Sequence, residues 1–182
     1  MASIEEIRTD RVRKLGLLKE KGMHPYPVAT KRSLSVAEAL ASFAKLSRAN
    51  KKITLAGRVM AIRGQGALVF FNLRDGEAMI QGFLKRDEIS EDLLTLFQDT
   101  IDIGDFIECT GKLFVTKRKE KTILVKNWNI LAKSLRPLPD KWHGLQDVEE
   151  RFRKRYLDML MSSEVRDRFV LRSRLITEMR TF

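Results

Sequence analysis

Three side chains of complementary chemistry, the ring of Phe70, the amide of Gln81 and the guanidinium of Arg63, fall within residues 53–84, a stretch that reads as three strands in succession. A ring offers a stacking surface, an amide both donates and accepts hydrogen bonds, and a guanidinium donates from a planar fork. Taken singly, each has an ordinary alternative: Phe70 as a core residue, Gln81 as an exposed strand residue, Arg63 as a charge flanking a turn. The reactive inventory elsewhere is thin. A single cysteine, Cys109, allows no internal disulfide, and with only His24 and His143 beside it a zinc site is not expected. Lys and Arg number 35 against 24 Asp and Glu, a formal charge of +11, which points to a polyanionic partner, nucleic acid first, with a merely solvated basic surface as the equal alternative on charge alone.

The elements that must position the trio follow from periodicity. In 53–62, Ile53, Leu55, Gly57, Val59 and Ala61 alternate with Thr54, Ala56, Arg58, Met60 and Ile62, the period of a strand and not of a helix. A glycine turn, Arg63-Gly64-Gln65-Gly66, leads into 67–75, where Val69, Phe71 and Leu73 share one face and Leu68, Phe70, Asn72 and Arg74 the other. This alternation argues against a core Phe70. Asp75-Gly76-Glu77 is a hairpin turn, followed by a third strand over 78–84 with Met79, Ile80 and Phe83 around Gln81. Leu93, Leu94, Leu96 and Phe97 lie in helical register within 91–101. Two more strands, 106–115 and 122–131, flank the charged turn Lys117-Arg118-Lys119-Glu120-Lys121. Five strands with a helix between the third and fourth is the order of an OB-fold, a Greek-key barrel that binds oligonucleotides on the face of its second and third strands.

Upstream, Ser3-Ile4-Glu5-Glu6 is a capping box for a first helix ending at Gly22, with Arg8, Arg11, Arg13, Lys14, Lys19 and Lys21 expected on its outer side, either solvated or along a phosphate backbone. A second box, Ser35-Val36-Ala37-Glu38, opens a short helix in which Val36, Leu40, Phe43 and Leu46 pack inward. Pro137, Pro139 and Gly144 mark a linker, after which Asp147 caps a charged helix over 148–161 and Ser163 a last one carrying Val165, Phe169, Arg172, Ile176 and Met179 along one side. That stripe runs to Phe182 with nothing to bury it, so the chain reads as truncated. The fold class expected is α+β, mainly β, with domains at 1–51 (helical extension), 52–132 (OB barrel), 133–146 (linker) and 147–182. With 43% hydrophobic and 32% charged residues a packed core is within reach, and no apolar run approaches the ~18 residues of a membrane span. A cytoplasmic protein is expected.

The run from Leu135 through Pro137, Pro139, Lys141 and Trp142 to Asp147, followed by Glu150-Arg151-Phe152-Arg153-Lys154-Arg155-Tyr156-Leu157-Asp158, resembles the junction of bacterial-type class II lysyl-tRNA synthetases. Gly57-Arg58-Val59-Met60, Leu73-Arg74-Asp75, Ile80-Gln81, Gly104-Asp105 and Gly111-Lys112-Leu113-Phe114 are similar to the same family in the same order. Aspartyl- and asparaginyl-tRNA synthetases share the barrel and the Leu-Arg-Asp turn but not the Pro-Leu-Pro-Asp-Lys junction. The resemblance implies an anticodon-binding barrel for tRNA(Lys) and, over 169–182, the start of the motif 1 helix at a homodimer interface. It implies ATP and Mg2+ for the full-length family, handled by arginines of motifs 2 and 3 that this sequence does not contain. No catalytic residue is assigned here, and the chain alone is expected to be inactive.

By position, the family's base-stacking aromatic is Phe70, its hydrogen-bonding glutamine Gln81, its strand-end arginine Arg63 and its loop glutamate Glu120, with Arg58, Lys117 and Lys121 as backbone candidates. Stacking unpaired bases on aromatics and meeting their Watson–Crick edges with polar groups is how single-stranded RNA is read. Two departures stand out: Lys119 where the family commonly has Gly before the glutamate, and no lysine in Gly64-Gln65-Gly66-Ala67. A stand-alone OB-fold RNA-binding or regulatory module is the alternative reading, and an aspartate-type relative a third.

Overall fold

The computed structural model describes residues 3–64, 67–76, 78–139 and 145–182. It divides into two compact units, Met1–Pro137 and Leu138–Phe182. Five strands close the first into a barrel: β1 (Lys52–Arg63), β2 (Leu68–Asp75), β3 (Ala78–Lys85), β4 (Phe106–Val115) and β5 (Lys121–Ala132), in the order β1-β2-β3-β5-β4. Neighbours are antiparallel except β3 and β5, whose parallel pairing closes the barrel. The α+β class and the OB order expected from periodicity are what the chain forms.

Alternation explains the core. Val69, Phe71 and Leu73 of β2 are buried, and so are Ile80 and Leu84 of β3. Helix α4 (Glu91–Thr100) sends Leu94 and Phe97 among them, its N-terminus capped by the Ser90 hydroxyl. The Phe97 ring meets Phe71 at 5.3 Å and stands edge-on to Trp128 at 5.3 Å, while the indole N–H of Trp128 donates to the Leu93 carbonyl at 3.0 Å. The Phe71 ring lies so close over Gly82 that a Cβ there would sit 2.1 Å from it, so only glycine fits beneath the strand pair that carries Phe70 and Gln81.

In β1 the alternation does not run through. The register shifts between Val59 and Ala61, where Val59 faces Leu73 and Ala61 faces Asn72, so Met60 is the extra residue of a β-bulge. Beyond it the phase reverses: Ile62 pairs with Phe71 and packs on the core, while Arg63 pairs with Phe70 on the outer face. Strict alternation would have put Ala61 and Arg63 on the core side.

Among the described residues three helices precede the barrel. Helix α1 (Ile4–Glu20) starts at the expected capping box, Ser3 and Glu6 serving each other's backbone N–H groups. Two of the cations expected on its outer side point inward. Arg11 is buried and donates to the carbonyls of Ser134, Arg136 and Ile103, and Lys14 reaches Asp102 at 2.7 Å. Leu18 is the only apolar residue of α1 that is fully buried, so these long polar side chains share in its docking. The second helix divides into α2 (Val36–Ala41) and α3 (Phe43–Arg48) at Ser42. Lys133 and Ser134, at the head of the expected linker, are bonded into this unit. The Lys133 ammonium is wholly enclosed and donates to Asp105 at 2.7 Å, Asp102 at 2.5 Å and the Thr100 carbonyl at 2.6 Å.

Among its described residues the second unit has three helices where two were expected. The run over 148–161 breaks at Lys154 (φ −112°, ψ 46°) into α5 (Val148–Arg153) and α6 (Arg155–Met161). Helix α7 (Ser163–Thr181) is capped by Ser162, one residue before the expected cap. Phe152 and Tyr156 are largely exposed, with Arg155 stacked 4.5 Å over the Phe152 ring. Among the described residues no helix is long and apolar enough to cross a membrane.

Candidate nucleic-acid interface

The outer face of β2 and β3, continued by the β4–β5 turn, borders an open cavity of about 1450 Å³. Phe70, Gln81, Arg63 and Glu120 all line it, as do Lys117 and Lys121. Strand register brings the first three together. Phe70 sits between Arg63 on β1 and Phe83 on β3, and Asn72, two residues on, faces Gln81. The Phe70 ring is half-buried and lies parallel to Phe83, centroids 4.4 Å apart and planes 13° from each other. Phe83 in turn meets Phe114 of β4 at 6.1 Å. Parallel rings at the floor of an open basic groove present a flat π surface of the kind on which unpaired bases stack.

Polar groups surround this floor. The Gln81 side-chain carbonyl accepts the Thr122 hydroxyl at 3.0 Å, and its NH2 group has no partner among the described residues. Arg63 is exposed and makes no ion pair among the described residues, so its fork is available to a ligand. The β4–β5 turn places Lys117, Arg118, Lys119 and Lys121 on the rim against one acid, Glu120, which is exposed. Lys121 is partly engaged, its ammonium 5.4 Å from the centroid of the Phe43 ring.

Arg58 lies elsewhere. It precedes the Met60 bulge, donates to the Gly104 carbonyl at 3.0 Å and covers the Phe106 ring at 4.2 Å, a structural role outside the cavity. Phe83, Phe114, Arg118 and Lys119 also line the cavity, although the sequence alone assigned none of them a binding role. Phe83 was within reach, since it stands two residues from Gln81 and must share its face. Phe114 was not, because its approach depends on how β4 and β5 pair. Gln65 and Gly66 of the loop without a lysine lie outside the described residues.

Lys119 keeps the backbone that a glycine would supply. Its φ is +64°, its N–H donates to the Thr116 carbonyl at 2.9 Å, and the Thr116 N–H returns to the Glu120 carbonyl at 3.0 Å. A left-handed conformation costs an L-residue roughly 1–2 kcal/mol, partly offset in any replacement by the larger unfolded-state entropy of glycine. Lys119→Gly is therefore expected to raise the thermal midpoint slightly, by less than about 1 kcal/mol of stability, while removing one rim cation. A drop in the midpoint would show that the Lys119 side chain holds the turn.

Among the described residues no group of three or more His, Cys, Asp or Glu side chains is placed to hold a metal ion. Cys109 is buried, and burial pushes its thiol up to about 12, which leaves it inert.

Residues 53–131 match the family of OB-fold nucleic acid binding domains. Over 98% of the chain, lysine–tRNA ligases are similar to it: that of Roseiflexus sp. (strain RS-1) is 40% identical over 180 residues, that of Carboxydothermus hydrogenoformans 41% over 179. The lysine–tRNA ligase of Aquifex aeolicus is 48% identical over 132 residues, 72% of the chain and 22% of its own length. The chain spans only 37% and 36% of the first two relatives. By sequence, it corresponds to the amino-terminal part of bacterial lysyl-tRNA synthetases, with an OB-fold nucleic-acid-binding domain at residues 53–131.

Proposed function

We propose that the groove on β2 and β3 reads the anticodon loop of tRNA(Lys) on behalf of a lysine–tRNA ligase. In such a protein the remaining sequence would carry the ATP- and Mg2+-dependent activation of lysine and its transfer. What supports the reading is the convergence of Phe70, Gln81, Arg63 and Glu120 on one open groove whose rim is basic. Phe70 supplies the stacking surface for the central base, Gln81 and Arg63 the hydrogen bonds to its edge, and Lys117 and Lys121 the attraction for the backbone. The same reading makes the exposed Leu171, Leu175 and Met179 of α7 a surface for pairing with a second copy.

Phe70→Ala is expected to weaken binding of a U-centred anticodon stem–loop by ~1–3 kcal/mol while changing stability little, because the ring is only half-buried. Lys117→Ala should instead weaken every RNA ligand alike and reduce the salt slope by ~0.7 per lost phosphate contact. Fluorescence anisotropy at several salt concentrations distinguishes the two. Undiminished binding by Phe70→Ala would rule out this groove as the base reader.

A further inference from the structure

We propose that Thr122 is a specificity-determining residue: its enclosed hydroxyl holds the Gln81 amide with the NH2 group facing the groove, so that the site accepts a base with a carbonyl at its pairing edge and refuses one with an amino group there. This rests on the base-reading role proposed above and adds to it which way the amide faces, and why.

Gln81 and Thr122 are register partners on the parallel strands β3 and β5, so their side chains lie side by side. Thr122 is fully buried while Gln81 is only half-buried, which places the hydroxyl beneath the amide and out of reach of solvent. A threonine hydroxyl has one hydrogen. Two oxygens stand within range, Gln81 Oε1 at 3.0 Å and the Glu120 carbonyl at 3.1 Å. The Glu120 carbonyl already accepts the Thr116 N–H at 3.0 Å, whereas Gln81 Oε1 has no other donor among the described residues. A carbonyl oxygen can accept twice, so the Glu120 carbonyl stays open to the hydroxyl; giving the hydrogen to Oε1 is the arrangement in which both oxygens have a donor. With its oxygen tied down, the amide offers Nε2, which lacks a partner among the described residues, to the cavity.

A donor facing outward complements the 4-carbonyl of uracil and opposes the 4-amino group of cytosine, since two donors cannot share one hydrogen-bond position. Without the Thr122 hydroxyl the amide can turn over, presenting oxygen to an amino group as readily as nitrogen to a carbonyl. Thr122 would then act by removing a choice from Gln81, without itself touching the base.

The test uses the 182-residue chain and stem–loops that differ only in the central loop base, U or C. Thr122→Val, which keeps the shape and removes the hydroxyl, should lower the preference for U over C by about tenfold, mostly by improving the C ligand, and leave the Phe70-dependent affinity in place. Thr122→Ser, which restores a hydroxyl, should recover the preference. The Glu120 carbonyl keeps its Thr116 N–H in both, so the turn should not collapse; should Thr122→Val fail to fold, Thr122→Ala carries the same expectation. An unchanged preference in the folded hydroxyl-free variant, with Gln81→Ala relaxing it, would overturn this inference and leave the base-reading site standing. If the wild-type chain shows no Phe70-dependent binding of either stem–loop, it is the base-reading role itself that fails.

Discussion

Phe71→Ala should destabilise the barrel by about 3–5 kcal/mol, the usual cost of emptying a large aromatic site, although its neighbour Phe70→Ala should cost little. The two residues differ in direction alone. Phe71 is almost fully buried, packs on Phe97 and seats its ring over Gly82, which has no side chain to move into the space left behind. Phe97 is braced by Trp128, so the cavity would open between rigid rings and would not close by relaxation. Urea unfolding of the two variants beside the wild type measures the contrast. Because Gly82 lies directly under Phe71, the loss should also loosen the strand pair bearing Gln81, so Phe71→Ala would lose RNA binding through unfolding and Phe70→Ala without it. Equal stability losses in the two variants would mean that the inward and outward faces of β2 are not energetically distinct.

Lys133→Ala is the second substitution expected to be severe, at about 3–5 kcal/mol, because it strands a buried carboxylate. Lys133 and Asp105 are both wholly enclosed, and Asp105 would keep only the backbone N–H groups of Asp102 and Ser134. Burial pushes the Asp105 carboxyl above its ordinary 3.8, while Asp102, which burial alone would also push up, is held below by Lys133 and Lys14. The two have opposite signs in stability. Asp102 favours folding at neutral pH and surrenders this as the pH falls through its lowered value. Asp105 withdraws stability as the pH rises from 3.8 toward its raised value. Without the Lys133 cation, the Asp105 carboxyl should rise further, so the deficit of Lys133→Ala should be larger at pH 7 than at mildly acidic pH. Combining Lys133→Met with Asp105→Asn should recover much of the loss, since removing both charges leaves no uncompensated carboxylate. Denaturant midpoints at the two pH values decide; a deficit independent of pH would show that packing, not charge, is what Lys133 supplies.

What the sequence determined by itself was direction and order. The period of two in β2 turned Val69 and Phe71 inward and Phe70 outward, because side-chain alternation belongs to a single strand and needs no partner. The succession of strands with one helix before the fourth specified the barrel order, and the charged turn at 117–121 announced a basic rim. Partnership and phase were decided by the tertiary structure. Periodicity in β1, extended to its end, aims Arg63 at the core, and only the bulge at Met60, forced by pairing with β2, delivers it beside Phe70. Arg11 and Lys14 looked like an outer charged face until α1 docked on Asp102 and on the carbonyls of Ile103 and Ser134. Thr122 is silent in the sequence. Its place beneath Gln81 comes from the register of two parallel strands 41 positions apart, set when the barrel closes. Local sterics can be read from neighbours along the chain, but which side chains meet across strands depends on hydrogen-bond register, which the whole sheet fixes together.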